Sequence, residues 1–398
     1  VRAPLGAILD DLFAREAMNV TLPLDGFCDP RFAAVREAFR ANFSERGEPG
    51  GAVAVSVGGR VVVDLWGGWR DSARNEPWQR ETLVNFFSVS KALCTICALR
   101  LVEQGRLELD GPAAGVWLEF AAAGKDRVTL RHILTHQAGL PALREPLHAG
   151  AMLDWKLMTD ALARTEPWWE PGTAHGYHVN TFGFLVGELV RRVSGRTIGT
   201  MLREDVALPL GADVHIGLPE SEYGRVAEFL WPATTSQQVM PAEKDAMRWN
   251  AYWNPPGASG GGYVNTPEWR LAEIPSTNGH GNARGVARVY AALANGGEIG
   301  GVRLLSRATL GAATTEQSCG FDLINQRPSR FGLGFQLTQP ERPLGPNPHS
   351  FGHFGAGGSL GFCDPDTDMA FGYVTNDMGP RWQNPRNRAL IDAVYASL

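Results

Sequence analysis

Ser88 stands three residues before Lys91 in "FFSVSKAL" (86–93), where an apolar helical run begins. On a helix that spacing puts two side chains on one face about 5–6 Å apart, so an amine there reaches the hydroxyl. At a first turn, free N–H groups and the helix dipole favour negative charge developing on that oxygen. The pair has the makings of an activated nucleophile. Two other serines compete, because "GASGG" (257–261) and "GGSLG" (357–361) both fit G-x-S-x-G. That pattern works only where a strand precedes the serine and a helix follows it. Ser259 lies between "WNPP" and "GGGYVNTP", and Ser359 lies between a glycine-rich loop and strand-like sequence, so both fail on context. With sixteen serines and four lysines, a chance S-x-x-K is expected about one time in six, so the pair needs support.

A serine hydroxyl needs a base, and an ordinary lysine is neutral in only about one copy in 2,500 at pH 7. Lys91 must therefore be buried, or share the work with another proton carrier. "PGTAHGYHVN" (171–180) offers Tyr177 just before a helical run. Its phenol could act with Lys91 as a shared base and return the proton to a leaving alcohol. His175 and His178 flank it and are candidates to tune it. His132 and His136, four apart in "LRHILTHQ", have the spacing of zinc ligands on a helix, but no acidic partners accompany them. Among twelve tryptophans, Trp168, Trp169, Trp249 and Trp253 fall where an apolar pocket could be lined.

These residues need a scaffold. "DPRFAAVREAFRANFSER" (29–46) predicts an amphipathic helix with Asp29 as cap and Pro30 at its first position. "GAVAVSVGGRVVVDLWGG" (51–68) predicts a hairpin turning at Gly58-Gly59. The pattern is helical from Ser88 to Gln104, with Gly105 placed to end it. Shorter helices follow in "LRHILTHQ", "WKLMTDALART", "GFLVGELVRRV" and "GVARVYAALAN". Strands are predicted at 331–338, 358–365 and 369–377, with a last helix at 387–398. The implied fold is α+β: an antiparallel sheet built from both ends of the chain, flanked by helices, plus a mainly helical inserted region. Residues 18–105 and 285–398 are assigned to the sheet domain, and 106–284 to the helical one.

The whole chain has 398 residues, 44% hydrophobic and 20% charged, with a net charge of −5. That balance argues against nucleic-acid or anionic-membrane partners, and no apolar run reaches the length of a membrane span. Residues 1–17 read as an extension or leader outside the fold, since Asp10 and Asp11 interrupt their apolar stretch. Five thinly spread cysteines do not make a disulfide framework, and "CTIC" (94–97) sits inside an apolar helical pattern. A reducing cytoplasm is the expected location.

Together, "SVSK" (88–91), "LTHQAGLP" (134–141), "PGTAHGY" (171–177) and "FGHFGAGGSLGF" (351–362) resemble the serine β-lactamase and penicillin-binding superfamily. The resemblance is strongest to its class C-like branch and the family VIII carboxylesterases. It extends from about residue 27 to the end and implies a β-lactamase/transpeptidase-like fold. It makes Ser88 the acylated nucleophile, Lys91 its base or proton relay and Tyr177 the catalytic tyrosine. "HFGA" (353–356) falls on the third motif, commonly Lys-Thr-Gly, on a strand facing the serine. The oxyanion hole would be the amides of Ser88 and Ala356, with His353 and Gly355 touching substrate. Neither metal nor cofactor is implied.

Two departures set the expected substrate. Class C enzymes have Tyr-x-Asn, whereas here Asn180 lies one place too far. His353 replaces the lysine whose fixed charge helps hold a β-lactam carboxylate. The expectation is a serine carboxylesterase for short-chain esters with weak β-lactam hydrolysis. A class C-type β-lactamase, a D-amino-acid peptidase or amidase, an acyltransferase and a non-catalytic acyl-ligand sensor are the alternatives. Oligomeric state is not set by the sequence.

Overall fold

The computed structural model describes residues 22–231, 245–379 and 383–398, so the segment 1–17 read as a leader lies outside the described residues. Apart from a short separate hairpin of Glu298–Ile299 with Val302–Arg303, its strands are β1 (Leu24–Cys28), β2 (Gly50–Val57), β3 (Arg60–Gly68), β4 (Val84–Phe87), β5 (Val214–His215), β6 (Gly279–Gly281), β7 (Ser318–Asp322), β8 (Arg327–Phe331), β9 (Gln336–Leu337), β10 (Phe351–Phe354), β11 (Leu360–Asp364) and β12 (Met369–Thr375). The helices that matter below are α1 (Ala33–Glu45), α2 (Ser90–Glu103), α3 (Leu130–Leu134), α4 (Trp155–Arg164), α5 (Thr181–Ser194), α6 (Ala283–Ala294) and α7 (Pro385–Tyr395).

Nine strands form one sheet in the order β1-β3-β2-β12-β11-β10-β9-β8-β7, and β4-β6-β5 form a small second one. The large sheet is antiparallel throughout. Its centre joins the two ends of the chain, with Met369 opposite Val57 and Thr375 opposite Gly51. The β2–β3 hairpin turns on Gly58 and Gly59, whose φ values of 55° and 75° are what a two-residue hairpin turn requires.

Alternation along β2 divides the core. Val53 and Val55 join Phe39, Phe371, Leu390 and Ile391 in the cluster beneath α1 and α7. Ala52 and Ala54 face the other way, into the larger cluster that includes α6. Small strand residues let α6 approach: a methyl on Gly372 would lie 2.3 Å from the Ala283 carbonyl oxygen. Helix α2 is buried from Ser90 through Leu99 and packs against α5. A helix that is apolar all round is a core helix. Among the described residues no helix is long and apolar enough to cross a membrane.

Two expectations change. The run 331–338 is not one strand: the amides of Leu333 and Gly334 go to the carbonyls of Ala313 and Leu134 instead of a neighbouring strand. Only Gln336 and Leu337 resume pairing. The β7–β8 hairpin was not anticipated, and it bears on the site.

Candidate active site

Strand β4 ends on Phe87, whose φ of 49° is in the left-handed region. Such a residue costs about 1–2 kcal/mol, and neighbours hold it there. The Ser90 hydroxyl donates to the Phe87 carbonyl and accepts the Gly279 N–H of β6 at 2.9 Å. Ser88 and Val89 form the sharp turn from which α2 starts. Ser88 therefore sits just ahead of the helix and not inside it. The i, i+3 relation survives, since the Lys91 N–H bonds to the Ser88 carbonyl at 3.1 Å.

Lys91 is fully buried. Its Nζ lies 3.1 Å from Ser88 Oγ, 2.8 Å from the Val179 carbonyl oxygen and 3.0 Å from that of Ser276. A carbonyl only accepts, so two N–H bonds of a neutral amine are engaged and its lone pair is left for the Ser88 hydroxyl. Burial holds the amine well below the usual lysine range. This is the arrangement of a base.

Tyr177 is equally buried. Lys91 Nζ lies 4.7 Å from the centre of its ring. Burial pushes the phenol above its usual range, opposed by the nearby Ser88 hydroxyl. The tyrosine is thus a neutral proton donor at rest.

Strand β10 brings the third motif alongside. Gly355 packs directly on the backbone before Ser88: a methyl there would stand 2.2 Å from the Phe86 carbonyl oxygen. Gly355→Ala is expected to push Ala356 away from Ser88 and lower kcat/KM about 10²-fold. Unchanged kinetics in a folded variant would refute that placement. The loop beyond is tied down by α7, where Asn384 Nδ2 donates to the Gly357 carbonyl (3.1 Å) and Asn387 Nδ2 to that of Gly358 (2.9 Å). Among the described residues, neither the Ser88 amide nor the Ala356 amide has a hydrogen-bond acceptor. His353 Nδ1 donates to the Phe354 carbonyl at 2.7 Å, leaving buried Nε2 as a bare acceptor. Burial, reinforced by Lys91, drops its pKa to about 3, so the ring is neutral.

A serine hydroxyl in reach of a buried amine, with a buried phenol close to that amine, has the chemistry to form and break an acyl bond. The Beta-lactamase family profile matches residues 35–396. The chain belongs to the beta-lactamase family.

It is 37% identical over 359 residues to the Esterase/beta-lactamase LipL of Mycobacterium tuberculosis, covering 88% of this chain and 82% of that one. Its fold is similar to a penicillin-binding protein homolog from Caulobacter crescentus, with 42% identity, a TM-score of 0.87 and coverage of 94% and 100%. A family VIII carboxylesterase structure matches with 40% identity, the same TM-score and the same coverage. The beta-lactamase/transpeptidase-like fold implied by the motifs is the fold observed.

In this beta-lactamase family member several candidates stand elsewhere than expected. The Gly355 N–H donates to the Ser359 carbonyl at 2.7 Å. His132 and His136 do not share a helix face: α3 ends at Leu134, and His136 has φ +60°. His132 Nδ1 accepts the Thr129 amide, while His136 Nδ1 accepts that of His178. His178 spans Gly176 and Leu140, with Nδ1 donating to the Gly176 carbonyl and Nε2 accepting the Leu140 N–H. Trp168 packs on the cluster around Tyr177, and Trp169 meets His178 edge-on. Trp249 and Trp253 lie half-buried, 6.2 Å apart along the helix Ala246–Trp253. Cys94 and Cys97 are free, buried thiols within α2. The carbonyls of Val179 and Ser276 were not foreseen, because a main-chain oxygen leaves no mark on residue type. Asn180, the displaced asparagine, points away, to the Ala251 carbonyl and Ser259.

Proposed function

We propose that this enzyme is a serine carboxylesterase that hydrolyses short-chain esters through an acyl-enzyme on Ser88. The observation that carries the reading is the buried Lys91 amine, with two carbonyls on its protons and Ser88 Oγ at 3.1 Å. Lys91 takes the serine proton as Oγ attacks the ester carbonyl. The amides of Ser88 and Ala356 receive the developing oxyanion. Tyr177 gives its proton to the departing alcohol and is recharged through Lys91. Water then attacks the acyl-enzyme by the same relay in reverse.

His353 supports an ester over a β-lactam. Its free nitrogen is an acceptor, which repels a carboxylate but accepts a proton from water or an alcohol. The Esterase/beta-lactamase name of the LipL relative favours β-lactam hydrolysis as a second, weaker activity. The test compares kcat/KM for p-nitrophenyl butyrate and a chromogenic cephalosporin. The ester is expected to lead by about 10³-fold, a gap of about 4 kcal/mol in transition-state binding. Equal turnover would overturn the ester assignment in favour of a β-lactamase.

A further inference from the structure

We propose that Asp322 is the positioning residue of Tyr177: its buried carboxylate, at the end of β7, fixes where the phenol stands beside Ser88. This rests on the role given to Tyr177 above. Three successive amides around the tyrosine are held from outside their own segment. Gly176 N–H donates to the His136 carbonyl (3.1 Å), Tyr177 N–H to Asp322 Oδ1 (3.0 Å) and His178 N–H to His136 Nδ1 (3.1 Å). Leu323 N–H donates to the His175 carbonyl at 3.1 Å, closing the segment against the β7–β8 hairpin.

The Asp322 carboxylate is fully buried. Besides Tyr177, Oδ1 accepts the amides of Ile324 (2.9 Å) and Asn325 (2.8 Å). Oδ2 accepts Asn325 Nδ2 (3.1 Å) and the Ser329 hydroxyl (3.0 Å). Having given its one proton to Asp322, the Ser329 hydroxyl receives the His175 Nε2–H at 3.0 Å. The hairpin also supplies Phe331, whose ring lies parallel to the phenol at 6.2 Å and within 10°. One hairpin therefore grips the tyrosine twice, by its amide and by its ring. A phenol that must meet both Ser88 and a leaving oxygen tolerates little displacement, since about 1 Å costs about 10²-fold.

The test uses the full-length enzyme. Asp322→Ala is expected to lower kcat for p-nitrophenyl butyrate about 10²-fold, with KM nearly unchanged. In a Tyr177→Phe background the same change is expected to matter little, because residues acting as one unit are not additive. Asp322→Asn keeps an acceptor for the Tyr177 amide but turns a donor toward Ser329 and Asn325, so an intermediate loss of about tenfold is expected. Circular dichroism establishes folding; if the Ala variant does not fold, the Asn variant in both backgrounds decides. Wild-type kcat in a folded Ala variant, no loss in the Asn variant, or equal loss with and without the Tyr177 hydroxyl overturns the proposal. The rate of Ser88 labelling by a fluorophosphonate is measured on every variant. If wild type cleaves no ester but labels, the ester reading alone fails, and the labelling rates still test Asp322.

Discussion

Ser88→Ala is expected to abolish ester turnover, a loss of about 10⁶-fold on the scale of nucleophile removal in serine hydrolases. On the proposed mechanism, a residual rate would come from substrate held against the amides of Ser88 and Ala356, which the substitution leaves in place. Neither competing serine is expected to matter in this way. Ser259 Oγ donates to the Tyr252 carbonyl and accepts Asn180 Nδ2, with no base in contact among the described residues. Ser259→Ala should stay within a few-fold of wild type. Ser359 Oγ accepts the Thr375 amide in the core. Ser359→Ala should therefore cost stability, about 1–3 kcal/mol for a stranded buried amide, more than chemistry. Intact mass after treatment with an organophosphonate checks all three. An adduct is expected on wild type, Ser259→Ala and Ser359→Ala, and none on Ser88→Ala. Labelling or turnover persisting in Ser88→Ala would move the nucleophile elsewhere.

What could be read in the sequence follows from how local each interaction is. Ser88 and Lys91 are legible because a three-residue spacing is enforced by one turn of backbone. The β2–β3 hairpin is legible because its β-branched alternation and Gly58-Gly59 turn share one short stretch. Tyr177 was found through the order of motifs, but the group that holds its amide lies 145 residues away. No periodicity links such positions. The β7–β8 hairpin escaped because its strands are polar, contain Pro328 and end the sheet, where apolar alternation is not required. The 331–338 run misled for the opposite reason: aromatic and glycine residues imitate a strand while their amides serve helices. His353 could be placed on its strand by resemblance. Its function as an acceptor was hidden, because the Phe354 carbonyl selects the tautomer.

Lys91→Met is expected to lower kcat/KM about 10³-fold, within the range for loss of a general base. Lys91→Arg should do no better, since a guanidinium keeps its proton. The pH dependence separates a neutral amine from a fixed charge. Wild-type kcat/KM should rise as Lys91 loses its proton, and burial places that rise well below the usual 10.5 of a lysine. The phenol of Tyr177, pushed upward by burial, adds no falling limb near neutrality. Stability must follow the same proton. Between the lowered folded pKa and the unfolded value near 10.4, the unfolded chain carries one proton more than the folded one. Wild type therefore gains stability as pH rises through that window, and is flat in this respect on either side of it. The Met variant has no such proton to lose. The Tm of wild type relative to Lys91→Met should thus climb as pH rises toward 10.5, while the activity gap stays wide. A rate profile rising only near 10.5, with a Tm difference independent of pH, would mean that Lys91 is charged at rest and that Ser88 has another base.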